Sequence, residues 1–176
     1  MSISRRNYGV CLLSLALTLA LVGATWAQTA TPTAPAPANP YRQAVAHLEQ
    51  AEQELTAGNP SSALSLVKQS NALFTRLQTE SAAKLAEREL SSQESQQLAI
   101  NQKLAVEAQG KADELLKTAA AKKKDAADLR AKGPAEAGDA AERESKDQYL
   151  QAQTLSIKSA IYALRNQQII FRFLAP

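Results

Sequence analysis

One cysteine and one histidine in 176 residues leave little room for metal or thiol chemistry. The cysteine, Cys11, lies inside an N-terminal apolar run, so a disulfide framework and a reactive thiol both leave with that run if it is removed. The histidine, His47, has no second histidine to share a zinc ion, and Glu49 and Glu52 beside it do not complete a metalloprotease spacing. Aromatic residues make up only 5% of the chain, which offers no stacking platform for single-stranded nucleic acid. Six glycines and seven prolines, none forming a glycine-rich loop, exclude a phosphate cradle. No Ser/His/Asp set and no alternating acidic calcium loop is present, and the acids Asp113, Glu114, Glu87 and Glu89 stand in charged stretches with no apolar pocket to perturb them. The expectation is a protein without catalytic residues, cofactor, metal or small-molecule substrate.

What the sequence does have begins with an address. Arg5 and Arg6 precede an apolar run over residues 11–24, which ends in the small residues around Ala24-Thr25-Trp26-Ala27. This is the pattern of a secretory signal peptide over residues 1–27, and the run is shorter than the roughly 20 residues a spanning helix needs. Cleavage after Ala27 or Ala24 is expected, releasing a periplasmic or secreted protein. Residues 4–8, SRRNY, partly resemble a twin-arginine export signal, though ordinary export is the preferred route. Cys11 stands at the start of the run, where it cannot serve as a lipidation site. Removal also changes the charge: of 20 Lys+Arg against 17 Asp+Glu, two bases and no acid go with the signal, leaving 18 against 17. The near-neutral remainder gives no ground for nucleic-acid binding. Residues 28–39, QTATPTAPAPAN, form a Pro/Ala/Thr linker that favours extended conformations over a core.

From residue 40 the punctuation predicts an all-α domain. Asn39-Pro40 and Asn59-Pro60 each put an N-cap residue before a proline whose missing N–H costs nothing at the first helical position. Gly58 is placed to close the first helix, and Gly133-Pro134 repeats the stop-and-start signal. The expected helices are 40–57, 60–132 and 134–174, the third starting at 134 or, by the Asp139/Glu142 capping-box spacing, at 139. At 1.5 Å per residue they would measure about 27, 110 and 60 Å. Folded back as an extended antiparallel hairpin with coiled-coil-like packing, the short first and medium third helices would leave the long one bare near residues 78–91. The competing arrangement breaks the middle helix at Ser91, whose spacing to Glu94 is another capping box, and gives a four-helix bundle. Residues 48–73 resemble one helix-turn-helix of the tetratricopeptide kind, with Gly58 at the turn. They lack the large aromatic near Glu54 and the recurrence at about 34 residues, and are read as a generic helical hairpin.

Two surfaces follow from the spacing. Ala105, Ala108, Ala112, Leu115, Ala119, Ala126 and Leu129 make a small-residue seam, with Ala137, Ala140 and Ala141 as its expected partners. Lys122, Lys123 and Lys124 near it have Asp125 and Asp128 within a turn, as in a solvated face. On the third helix Leu150, Ile157, Ile161, Leu164 and Phe171 form one stripe, widened by Tyr149, Ala160, Ala163, Ile170 and Leu174 to an arc of roughly 200°. Lys158, Arg165 and Arg172 occupy the remaining face at steps of seven, and no acid follows Asp147. Such an arc serves either as the centre of a bundle, a homodimer interface, a groove for unfolded clients, or a basic amphipathic surface on an anionic membrane. The functional expectation is an exported structural or scaffolding protein that self-associates or binds a protein partner through its third helix. A holdase-like chaperone and a peripheral membrane protein are the alternatives.

Overall fold

A computed structural model describes residues 39–175; the expected signal peptide and nearly all of the linker lie outside them. Five α-helices pack together: α1 (Pro40–Thr56), α2 (Pro60–Glu80), α3 (Ala82–Ala86), α4 (Ser92–Lys132) and α5 (Ala135–Ile170), followed by a 3-10 turn, Arg172–Leu174. Among the described residues there is no strand. The first start signal acts as local chemistry dictates, whereas Asn59 makes no cap bond to α2 and its side-chain amide donates to Glu54 Oε2 at 2.9 Å. Asn39 Oδ1 accepts from the Tyr41 amide at 2.9 Å, and Pro40 and Pro60 open their helices. Gly58 takes φ +81°, which lets the Asn59 amide reach back to the Glu54 carbonyl at 2.9 Å and close α1.

The uninterrupted middle helix over 60–132 does not form. The helix bends at Ser81, although the Ser81 amide still donates to Leu77 and the Leu85 amide to Ser81, both at 2.9 Å. It then stops at Glu87 and restarts at Ser92. The restart is the capping box: Ser91 is extended (φ −63°, ψ 160°), its hydroxyl accepts from the Glu94 amide, and the Glu94 carboxylate accepts from the Ser91 amide at 3.0 Å. The stretch 78–91 is mostly exposed, as expected, although Ser81 is buried and Leu85 packs on the core. Helix α5 starts at Ala135; Asp139 and Glu142 do not cap it but pair with Arg130 of α4.

Two antiparallel pairs result, α1 with α2 and α4 with α5, and both meet α5. Toward α4, α5 turns Gly138, Ser145, Ala152 and Ser159, all buried and all seven apart. The Ser145 hydroxyl donates to the Ala119 carbonyl and the Ser159 hydroxyl to the Ala105 carbonyl, each at 2.8 Å. Both helices advance fourteen residues between these bonds, so one register holds throughout. It sets Ala152 opposite Ala112 and Gly138 opposite Ala126. Two turns further on, Asn166 Nδ2 donates to the Leu98 carbonyl at 3.3 Å. Hydroxyl-to-carbonyl bonds across two helices require backbones to approach closely, which only small residues allow. The seam on α4 is thus Ala105, Ala108, Ala112, Ala119 and Ala126, whereas Leu115 is half-buried and Leu129 exposed. Of the expected partners Ala140 is exposed, and Ala137 and Ala141 are half-buried beside Gly138. The same device joins the other pair, where Ser70 donates to the Ala44 carbonyl at 2.8 Å and Ala51 and Ala63 are fully buried.

The glycines of the arm give opposite expectations. A Cβ on Gly138 would meet Arg130 Cγ at 2.5 Å and the Ala126 carbonyl oxygen at 3.0 Å, whereas one on Gly110 meets nothing within 4 Å. Gly138→Ala is expected to destabilise by about 1–3 kcal/mol through overpacking. Gly110→Ala is expected to stabilise by about 0.5–1 kcal/mol, the helix-propensity difference. Thermal melts of the two variants check both signs.

Candidate functional site

The apolar stripe of α5 is turned away from α4 and covered by the α1–α2 pair. Ile157, Ile161, Leu164 and Phe171 are buried with Tyr41, Leu48, Val67, Phe74 and Leu77, and Ile170 and Leu174 are partly buried against them. Phe171 stacks on Phe74 with centroids 6.0 Å apart, and Tyr41 meets Phe74 edge-on at 6.4 Å. Two helices together fill the arc that one could not. Leu150, the first member of the stripe, lies beyond this cover and is 52% exposed. The stripe is therefore mainly an internal core, with one uncovered end.

The basic face is divided as well. Lys158 is exposed, but Arg165 forks onto Glu52 of α1, Nε to Oε1 at 2.9 Å and Nη2 to Oε2 at 2.5 Å, and donates to Gln168 Oε1 at 2.6 Å. This bidentate pair is partly shielded from solvent, and it fixes the crossing of α1 over α5. Arg172 is exposed and makes no ion pair among the described residues; its charge acts on Tyr41 and Glu94. The acid that neutralises Arg165 lies 113 residues away in sequence, so the absence of acids after Asp147 gave no warning of it.

Arg165, Arg172, Tyr41, Gln97, Asn101 and Tyr162 line an open groove of about 530 Å³ between α1, α4 and α5. Gln97 Nε2 donates to Asn101 Oδ1 at 3.0 Å, and the Tyr41 hydroxyl donates to the Gln168 carbonyl at 3.2 Å. Burial raises the Tyr41 pKa above its ordinary value, while Arg172 and Arg88 pull it back. Glu52, paired with Arg165, also lines it, and the amides with the Arg172 guanidinium can hold a carboxylate or a peptide carbonyl. His47 is half-buried rather than a plain surface residue, and its Nδ1 has no hydrogen-bond partner. Among the described residues no three metal-ligating side chains cluster, and no helix is long and apolar enough to cross a membrane.

A second surface is the outer face of the α4–α5 arm, where the α1–α2 pair does not reach. Val106, Leu116 and Leu129 of α4 and Tyr149 and Leu150 of α5 stand exposed along the arm, Val106 at 61%, spread round the helices rather than in one stripe. Leu116 precedes Arg130 by two heptads and Tyr149 follows Glu142 by one. Because Arg130 and Glu142 are ion-paired, Leu116 and Tyr149 flank the same side of the seam. The other side carries the Lys122–Glu144 pair, so Lys122 is not simply solvated.

The third polar cluster sits where the chain re-enters α4. Arg88 donates to the Ile169 carbonyl and to Glu94 Oε1, both at 2.7 Å, and its guanidinium lies 5.4 Å from the Phe173 ring centroid. No protein-family model matches the chain, and neither curated proteins nor solved structures provide a match.

Two outcomes follow from this geometry. Ile161→Asp would bury an unpaired carboxylate beneath α1 and α2, and about 3–5 kcal/mol of lost stability is expected, read by denaturant titration. The Ser91 amide holds Glu94 below the usual glutamate pKa, with further lowering by the Ser91 hydroxyl, Arg88 and Arg172. Lys146 and Arg130 do the same for Glu142. A lowered folded-state pKa means stability that is complete above the unfolded value, about 4.3, and is lost as pH falls through the folded one. The melting temperature should therefore be flat between about pH 5 and 9 and drop below pH 4, with a shallower drop in Glu94→Gln, and the raised Tyr41 pKa should lower it again above about pH 10.

Proposed function

We propose that this chain is an exported, non-enzymatic structural or scaffolding protein. Its α4–α5 pair acts as an extended, coiled-coil-like antiparallel hairpin that presents protein–protein contacts. Export rests on Arg5, Arg6 and the apolar run over 11–24. The observation that carries the contact role is the exposure of Val106, Leu116, Tyr149 and Leu150 on a paired arm whose own seam is alanine, serine and glycine. Singly scattered exposed apolar residues need no explanation, but Leu116 and Tyr149 flank the same side of the seam, as a contact patch requires.

The same exposure gives the holdase-like reading its one supporting observation, because unfolded clients would use the same side chains. The membrane reading draws on Lys158 and Arg172 alone, since Glu52 neutralises Arg165.

Light scattering and dye binding on the processed protein and on Leu116→Glu and Leu150→Glu test the proposal. Both positions are exposed, so melting temperatures should change little, by about 0.5 kcal/mol equivalent at most. A specific scaffold predicts a defined oligomer or complex that each variant weakens, with little binding of an environment-sensitive dye. Strong dye binding by the wild type that both variants abolish would favour client holding. Salt-sensitive binding to anionic vesicles, reduced by Lys158→Glu, would favour the membrane.

A further inference from the structure

Only residues 87–91, Glu-Arg-Glu-Leu-Ser, separate α3 from α4, and helical hydrogen bonds already run through Ser81. This break contains no glycine and no proline. Every non-glycine residue described has negative φ, so helical geometry is sterically open to all five. The chain stops here because side chains hold it: Ser91 and Glu94 cap the restart, and Arg88 ties the segment to the Ile169 carbonyl, Glu94 and Phe173. The break also interrupts the i to i−4 ladder, which a continuous helix would restore.

The element upstream of the break is separable. The α1–α2 pair has its own register bond, Ser70 to the Ala44 carbonyl, and rests on α5. Helices α2 and α4 run in opposite directions across the break, α2 toward Phe171 and α4 away from it, as the Phe74–Phe171 stack and the Asn166–Leu98 bond fix. If 87–91 became helical, α2 would continue the axis of α4 and carry α1 off its own α5. A second copy related by a two-fold axis at the hinge offers the same bare α5 alongside that extension.

We propose that 87–91 is an exchange hinge. A second copy of this chain is the partner, and each copy seats its α1–α2 pair on the other's α5 through the same residues that pack within one chain. This rests on the self-association reading for the partner's identity, but on different residues from those exposed on the arm. Short hinges without a helix breaker favour exchange, because the two forms share every contact outside the hinge. The monomer is set against the dimer by the cap, the Arg88 clamp and protein concentration.

The test uses the full processed chain. Arg88→Ala/Ser91→Ala removes the clamp and the cap and should raise dimer affinity by about tenfold or more, with helicity unchanged or increased. Glu89→Pro blocks a continuous helix and, in the Leu150→Glu background that removes arm contacts, should keep the chain monomeric. To establish exchange rather than surface docking, Glu52→Arg and Arg165→Glu are each placed in the Arg88→Ala/Ser91→Ala background and refolded separately or together. Either alone opposes like charges wherever its α1 meets an identical α5. Only an exchanged heterodimer pairs every residue 52 with an opposite charge at residue 165, so heterodimers should exceed the binomial share. A hinge variant that remains monomeric, a Glu89→Pro/Leu150→Glu chain that still dimerises, or a binomial mixture would each overturn the proposal. Loss of arm-mediated assembly in Leu150→Glu with the exchanged dimer intact would separate the arm's role from the hinge's.

Discussion

Ile157 and Ser159 are two residues apart, which on a helix places them about 200° from each other, and that separation organises the domain. One direction leads to a seam of small side chains where α4 and α5 approach closely enough for serine hydroxyls to reach backbone carbonyls. The other leads to a core of isoleucine, leucine and phenylalanine that α1 and α2 share. The two interfaces draw on different physics. Between α4 and α5, little area is buried per residue and specificity comes from backbone proximity and from hydroxyls satisfied at seven-residue intervals. Beneath α1 and α2, each buried large side chain contributes about 1.5–3 kcal/mol by removal from water. The seam fixes register, and the core supplies most of the stabilisation.

This division explains which variants should matter where. A one-residue slip of α4 against α5 would strand Ser145 and Ser159 without acceptors and bring Gly138 off the Ala126 carbonyl, so the register is single although the side chains are small. A slip of α1 against α5 would cost the fork of Arg165 on Glu52 and the Phe74–Phe171 stack. The polar contacts in both places act mainly as selectors among helical alignments.

How far the sequence revealed this depends on the range of the interaction. Asn39-Pro40, Asn59-Pro60, Gly58 and the Ser91/Glu94 box are local chemistry, and each marks a helix end in the structure. The all-helical character followed from them and from composition. The break at 87–91 went against the expected continuous helix, because alanine, leucine and glutamate on either side favour continuing and the contacts of Arg88 add to the Ser91/Glu94 cap to tip the balance. Apolar periodicity found the alanines of α4 but missed Gly138, Ser145 and Ser159, which it scores as polar or neutral. The stripe on α5 was visible as a surplus of apolar surface, yet nothing in its spacing said that residues 40–77 would cover most of it. Arg165 looked unpaired for the same reason: Glu52 is close only after folding.

A topology held by side chains differs in kind from one held by glycine or proline. At Gly58 the positive φ disfavours any continuation of α1 into α2, so that turn is written into the backbone. At 87–91 no backbone requirement exists, and the reversal is held by the core beneath α1 and α2 together with Ser91, Glu94 and Arg88, against the helical hydrogen bonds forgone. The local contributions on the two sides are of similar size, roughly 1 kcal/mol for a cap and 0.5–1.5 kcal/mol for each backbone bond. The separation of α2 from α4 is consequently the least firmly determined step of the fold, and acid, which neutralises Glu94, weakens the side that maintains it.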